Sequence, residues 1–190
     1  MRERLRHSWL LVLVGLLGCD LFAPREPEAP VAESGTFLQP DTPERVVQNL
    51  QAAIAEQNAG NYVRSLAEPF TFIPTATAQS RDPALWAGWN RAREEQYFTA
   101  MVAAVSPSAT PQLQLSNERA SFDSERRYVL EASYRLTVPH THPDAPTIVE
   151  GRLIWEITQQ PSGLWALERW TDRQQGDVPS WSDLKRAFIN

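Results

Sequence analysis

One cysteine, Cys19, and one lysine, Lys185, are all that 190 residues contain. Without a second thiol the chain cannot close an internal disulfide or build a thiolate metal cage, so a folded state has to rest on buried apolar surface. Long apolar runs are missing too. Residues 9–17 are nine apolar or small residues, whereas a helix needs about 20 to cross a bilayer. Positive charge is in short supply, with 18 basic against 23 acidic side chains and a net charge of −5. That sign argues against nucleic-acid binding, which depends on a basic surface that displaces phosphate counterions.

What stands around the cysteine is more specific. Arg2, Arg4 and Arg6, against a lone Glu3, precede the short apolar run, which is the layout of a secretory signal. Leu16-Leu17-Gly18-Cys19 then resembles the lipobox of bacterial lipoproteins, in which a diacylglycerol joins the cysteine thiol and a peptidase cuts just before it. The resemblance implies that residues 1–18 are removed and that a lipid on Cys19 anchors the chain in the cell envelope. Asp20 resembles the inner-membrane retention signal of some Gram-negative lipoproteins and favours the periplasmic face of that membrane, with the outer membrane as the alternative. Residues 19–40 carry Pro24, Pro27, Pro30 and Pro40 without helical or strand period and read as a tether. At about 3 Å per residue such a segment would hold a domain several tens of Å from the bilayer. Loss of residues 1–18 removes three arginines and one glutamate, leaving 15 basic and 22 acidic side chains, a net charge of −7. The dominance of arginine over lysine reads as compositional bias.

Residues 41–190 have the length of one domain. Asp41 or Thr42 can cap a first helix with Pro43 in its first turn, and Val46, Val47, Leu50, Ala53 and Ile54 recur at helical spacing. Asn58-Ala59-Gly60 ends it, and Asn61 is placed to cap a short helix through YVRSLAEP. FTFIP reads as a brief strand with Phe70 and Phe72 on one face. A third helical region from Asp82 carries Phe98, Met101, Val102 and Val105 at i, i+3, i+4 and i+7, with Gly88 bending its first half.

Beyond Pro111 the period changes to two. Tyr128, Leu130, Ala132, Tyr134, Leu136 and Val138 share one face, while Glu131, Ser133, Arg135 and Thr137 take the other. QLQL, TIVEGRLIWEIT and LWALERWTD read as further strands, with a hairpin turn at Gln160-Pro161-Ser162-Gly163 and a bulge at Gly151. Ser180 and Asp183 have capping-box spacing, and Trp181, Leu184 and Phe188 form one apolar side of a final helix that packs back onto the domain. Helices followed by strands with one apolar face indicate an α+β domain with helices covering a curved antiparallel sheet.

This order, from VVQNLQAAIAEQNAGNYVRSLAEPFTF to GLWALERWTD over residues 43–173, resembles the nuclear transport factor 2-like superfamily, which implies a cone of bent sheet wrapped around helices. Enzymes of that superfamily place an Asp or His inside the cone as a base. Here the inward-reading strand positions offer tyrosines, whereas Glu131, Glu150, Glu156 and Glu168 alternate outward and Asp123 and Asp172 fall at strand ends. No catalytic residue, cofactor or metal is therefore assigned. His140, His142 and Asp144 have chelating spacing, but Pro139, Pro143 and Pro146 favour a solvated loop. The expected role is a non-catalytic ligand-binding or protein-interaction module, with a small lyase or isomerase of the ketosteroid isomerase or polyketide cyclase type as the alternative. Trp86, Tyr97, Tyr128, Tyr134 and Trp155 are the candidate lining for a small apolar ligand, against the simpler reading in which they fill the core. An envelope protein, or a second copy paired through the open sheet face, are the other partners considered.

Overall fold

The computed structural model describes residues 35–189. The signal, Cys19 and most of the segment read as a tether lie outside the described residues. Among the described residues no helix is long and apolar enough to cross a membrane.

Helix α1 spans Pro43–Ala55, with Thr42 at its N-cap and Pro43 in the first turn. Of its predicted stripe, Val46, Leu50, Ala53 and Ile54 are buried and Val47 is half-buried. Asn58 caps the short helix α2, Ala59–Arg64, by accepting from the Asn61 backbone N–H. The expected cap at Asn61 is thus displaced by three residues, because Asn58 has extended backbone and Asn61 already lies inside the helix. Strand β1 follows as Leu66–Ile73, beginning before Pro69 and burying Phe70 and Phe72.

A short helix that the spacing does not predict comes before Asp82, and the third helical region itself divides into two. Thr75 caps α3, Ala76–Arg81, and α4 is the single turn Pro83–Trp86. Gly88 has φ +69° and breaks the chain instead of bending it, after which Asn90 caps α5, Arg91–Ala104.

Four strands complete the sheet: β2 Gln112–Ser124, β3 Arg127–Thr137, β4 Ile148–Gln159 and β5 Trp165–Gln174. Their order is β1-β5-β4-β3-β2, with β1 parallel to β5 and every other pair antiparallel. Inward residues of β3 and β4 alternate as the sequence predicts. The expected bulge at Gly151 is absent. That residue pairs in register with Tyr134 and Gln174, and the β4–β5 register shifts instead at Glu156/Ile157. What Gly151 provides is space: a Cβ there would stand 2.6 Å from the Arg173 carbonyl oxygen and 2.7 Å from the Tyr134 hydroxyl.

Helix α6, Trp181–Ile189, lies over the inner face and buries Trp181, Leu184, Lys185 and Phe188. Its capping box forms through Asp183, which accepts from the Ser180 N–H at 2.8 Å and the Ser180 hydroxyl at 2.9 Å. The helices pack on the curved sheet to give an α+β cone with one continuous core.

Contacts to this core begin ahead of Asp41. The Asn49 side chain accepts from the Leu38 N–H at 2.8 Å and donates to the Leu38 carbonyl at 2.7 Å. The Trp165 N–H donates to the Pro40 carbonyl, so residues 36–40, read from their prolines as tether, lie against the domain.

Candidate functional site

The interior of the cone collects aromatic and charged side chains from both halves of the fold. Tyr97, Tyr134 and Trp155 meet there through two tryptophans not singled out from the sequence as lining. Trp155 meets Trp170 edge to face at 5.5 Å between centroids, and Trp170 meets Trp181 at 4.3 Å. Trp181 in turn contacts the Tyr134 ring at 5.3 Å and donates its indole N–H to the Tyr97 hydroxyl at 2.9 Å. Trp86 joins from α4, stacked on Trp89 and tilted against Phe72. Tyr128 is separate, at the far end of the sheet beside Phe122. Four of the five candidate lining residues therefore share one aromatic interior, and all five are buried.

Carboxylates are present in that interior, which corrects the expectation drawn from strand alternation. Asp172 is 1% exposed and Glu94 is 0% exposed. Asp172 alternates with Trp170 on β5 and so points inward; the strand runs two residues past it, to Gln174. Glu94 comes from the first turn of α5, a position strand patterning cannot report.

Each carboxylate is fully engaged. Asp172 accepts from the Tyr134 hydroxyl at 2.7 Å, the Ser182 N–H at 2.8 Å and the Ser182 hydroxyl at 2.6 Å. Burial pushes its pKa up, while these donors oppose the shift. Glu94 accepts from the Tyr62 hydroxyl at 2.7 Å, the Trp89 indole N–H at 2.7 Å and the Lys185 ammonium.

Lys185 is the decisive residue. The chain's one lysine is 0% exposed, so it is a core position and not a matter of composition. Its ammonium sits 4.3 Å from the Trp170 ring centroid, 4.4 Å from Phe72 and 4.5 Å from Tyr97. A cation over aromatic faces is attracted by the ring quadrupoles. Burial lowers its pKa to about 8, against the opposing pull of Glu94 and Asp172. The tyrosines move the other way: burial first, then the Glu94 charge, raises Tyr62 and Tyr97, and burial with Asp172 raises Tyr134.

Helix α6 thus supplies the central cation, a central indole and two of the three donors to Asp172. The Trp181 N–H also donates to the Tyr134 hydroxyl at 2.8 Å. The chemistry available is that of a sealed acid–base cluster whose groups are held by one another. His140 and His142 pack their rings against Phe188 of α6. Among the described residues no set of three or more His, Cys, Asp and Glu side chains is arranged to hold a metal ion.

No family model matches the chain, and no curated protein matches it. Solved structures do. A protein of Novosphingobium aromaticivorans provisionally named a scytalone dehydratase aligns with TM-score 0.54 at 12% identity, over 72% of this chain and 88% of that one. A nuclear transport factor 2-like protein of unknown function from Pseudomonas putida gives TM-score 0.51 at 8% identity, covering 70% and 84%. A protein of unknown function with a cystatin-like fold from Nostoc punctiforme gives 0.50 at 11%, covering 72% and 90%. The chain has the nuclear transport factor 2-like cone fold. At these identities the likeness carries the fold and no activity, since this fold serves many unrelated functions.

Proposed function

We propose that this protein is a lipid-anchored envelope lipoprotein whose cone is a non-catalytic interaction module with a closed interior. One observation carries the second half of the reading: α6 fills the inner volume with Trp181 and Lys185 and occupies the buried acceptors there. Trp86, Tyr97, Tyr134 and Trp155 then serve as the packing of that interior, and contact with a partner takes place on the outer surface. The anchor rests on the lipobox resemblance at Cys19 and the basic, short apolar segment ahead of it.

The test is native mass spectrometry of the full chain extracted gently in a neutral detergent. The expected mass is that of a chain starting at an acylated Cys19 with no small-molecule adduct, and Cys19→Ser abolishes the acylation. A retained apolar molecule would overturn the closed interior, and an unmodified cysteine would overturn the anchor.

A second reading, a cofactor-independent lyase or isomerase, is favoured by one observation: two inward carboxylates stand beside tyrosine hydroxyls, the groups that enolate chemistry needs. It requires α6 to withdraw before a substrate enters. Protection of the α6 amides against hydrogen exchange to the same degree as β4 would count against it.

A further inference from the structure

The outer face of the sheet carries an arrangement independent of the closed interior. Most of its charges are matched: Arg127 and Arg169 share Glu156, and Arg135 pairs with Glu150. Arg152 reaches Glu131 at 3.3 Å. Two arginines differ. Arg173 stands directly opposite Arg152 across the β4–β5 ladder, and Arg119 stands opposite Glu131, whose carboxylate is already taken by Arg152. Among the described residues neither Arg119 nor Arg173 has a carboxylate at ion-pair distance. Like charges directly opposite one another weaken a sheet, so the Arg152–Arg173 pairing is a cost the fold carries.

The backbone shapes the same place. The β2–β3 register shifts between Ser116 and Arg119, with Asn117 at φ +52°. Asn is among the few residues that adopt this conformation readily, and a bulge re-aims the side chains beside it. Two adjoining depressions result. One, of about 300 Å³, is bordered by Asn117, Arg119, Ser133, Arg152 and Gln175. The other, of about 140 Å³, is bordered by Glu131, Ile154, Arg173 and again Arg152.

We propose that this trough binds a phosphate group, with Arg119, Arg152 and Arg173 as its recognition residues. Three guanidiniums and Glu131 leave two net positive charges, which match a phosphate monoester dianion better than a single carboxylate. Guanidinium forks suit phosphate oxygens, and their charge-assisted bonds are the strong ones. Ser133, Asn117 and Gln175 add neutral donors, while Glu131 holds Arg152 in position. A bound dianion relieves the repulsion between Arg152 and Arg173. The phosphate can belong to a lipid headgroup or to a soluble ligand.

The experiment is thermal unfolding of the full chain in a neutral detergent, titrated with inorganic phosphate at an ionic strength held constant with chloride. The expected result is a saturable rise in Tm. Arg119→Gln and Arg173→Gln break no ion pair, so each folds as the parent does, yet shifts the midpoint to about tenfold higher phosphate. No rise, or the same rise in parent and both variants, overturns the proposal. A parallel titration with mixed micelles containing phosphatidic acid separates the sources. A midpoint at lower phosphate than the inorganic ion gives assigns a lipid headgroup, and an equal or higher one assigns a soluble phosphate-bearing ligand.

Discussion

The ammonium of Lys185 on α6 is bonded to the carboxylate of Glu94 on α5, and both side chains are wholly removed from solvent. Taking two charges out of water is costly and their attraction offsets that cost only as a pair, so deleting one partner is worse than deleting both. Glu94→Gln and Lys185→Met are each expected to destabilise the domain by about 3–5 kcal/mol. The double variant recovers a substantial part of that loss. Chemical denaturation of the four proteins closes the cycle; losses that simply add would show that the two groups do not depend on each other.

The same lysine sets a pH dependence. Its folded pKa, about 8, lies below the ordinary 10.5, so between those values the unfolded chain binds a proton that the folded chain has released. Stability contributed by this group therefore rises with pH across that window and is flat below it. Tyr62, Tyr97 and Tyr134 are raised above 10, so past about pH 10 they retain protons that the unfolded chain loses, and the slope turns down. Unfolding free energies from about pH 8 to pH 10 should rise in the parent relative to Lys185→Met. A constant difference between the two would contradict this.

Gly151 is required for space. Gly151→Ala drives a methyl group toward the Arg173 carbonyl and the Tyr134 hydroxyl, and forcing such an overlap costs about 1–3 kcal/mol. The side chain that has to yield is the one joining Asp172 to Trp181. Tyr134→Phe in the same background removes the hydroxyl contact and leaves the Arg173 carbonyl one, so the added cost of the alanine should be smaller than in the parent but not abolished, as thermal unfolding would read.

The Asn49 amide provides two of the hydrogen bonds that hold residues 36–40. Asn49→Ala removes both hydrogen bonds to Leu38. The expected outcome is faster hydrogen exchange and earlier protease cutting over residues 36–40, with a stability loss of about 1–3 kcal/mol. Unchanged cutting would mean that the hydrogen bonds from the Thr36 N–H to the Glu56 carboxylate and from the Trp165 N–H to the Pro40 carbonyl suffice.

The sheet was legible because its signal is local: an alternation such as Tyr128 to Val138 records burial on one face directly. Helix α1 was legible for the same reason. The break at Gly88 was not, since a glycine inside a helical pattern is compatible with a bend or a stop. The interior charges were the largest miss. Asp172 looked terminal because polar residues follow Trp170, and Glu94 lies in a helix whose other face is polar. Lys185 sits between Leu184 and Arg186, where its neighbours give no hint of burial. A buried charge is defined by partners far off in the chain, so the signal available was indirect: it was the chain's one lysine, within one turn of Trp181, Leu184 and Phe188.

The span between Glu94 and Lys185, 91 positions, bears on how the chain acquires its structure. Helix α5 and the strands can collapse together early, but the cavity they enclose then holds two carboxylates without a cation. Contacts of such long sequence separation are slow to form, and until α6 docks these carboxylates lack the Lys185 ammonium and the Ser182 donors. The interior therefore reaches its charge balance and its full set of hydrogen bonds only with this one nine-residue helix in place.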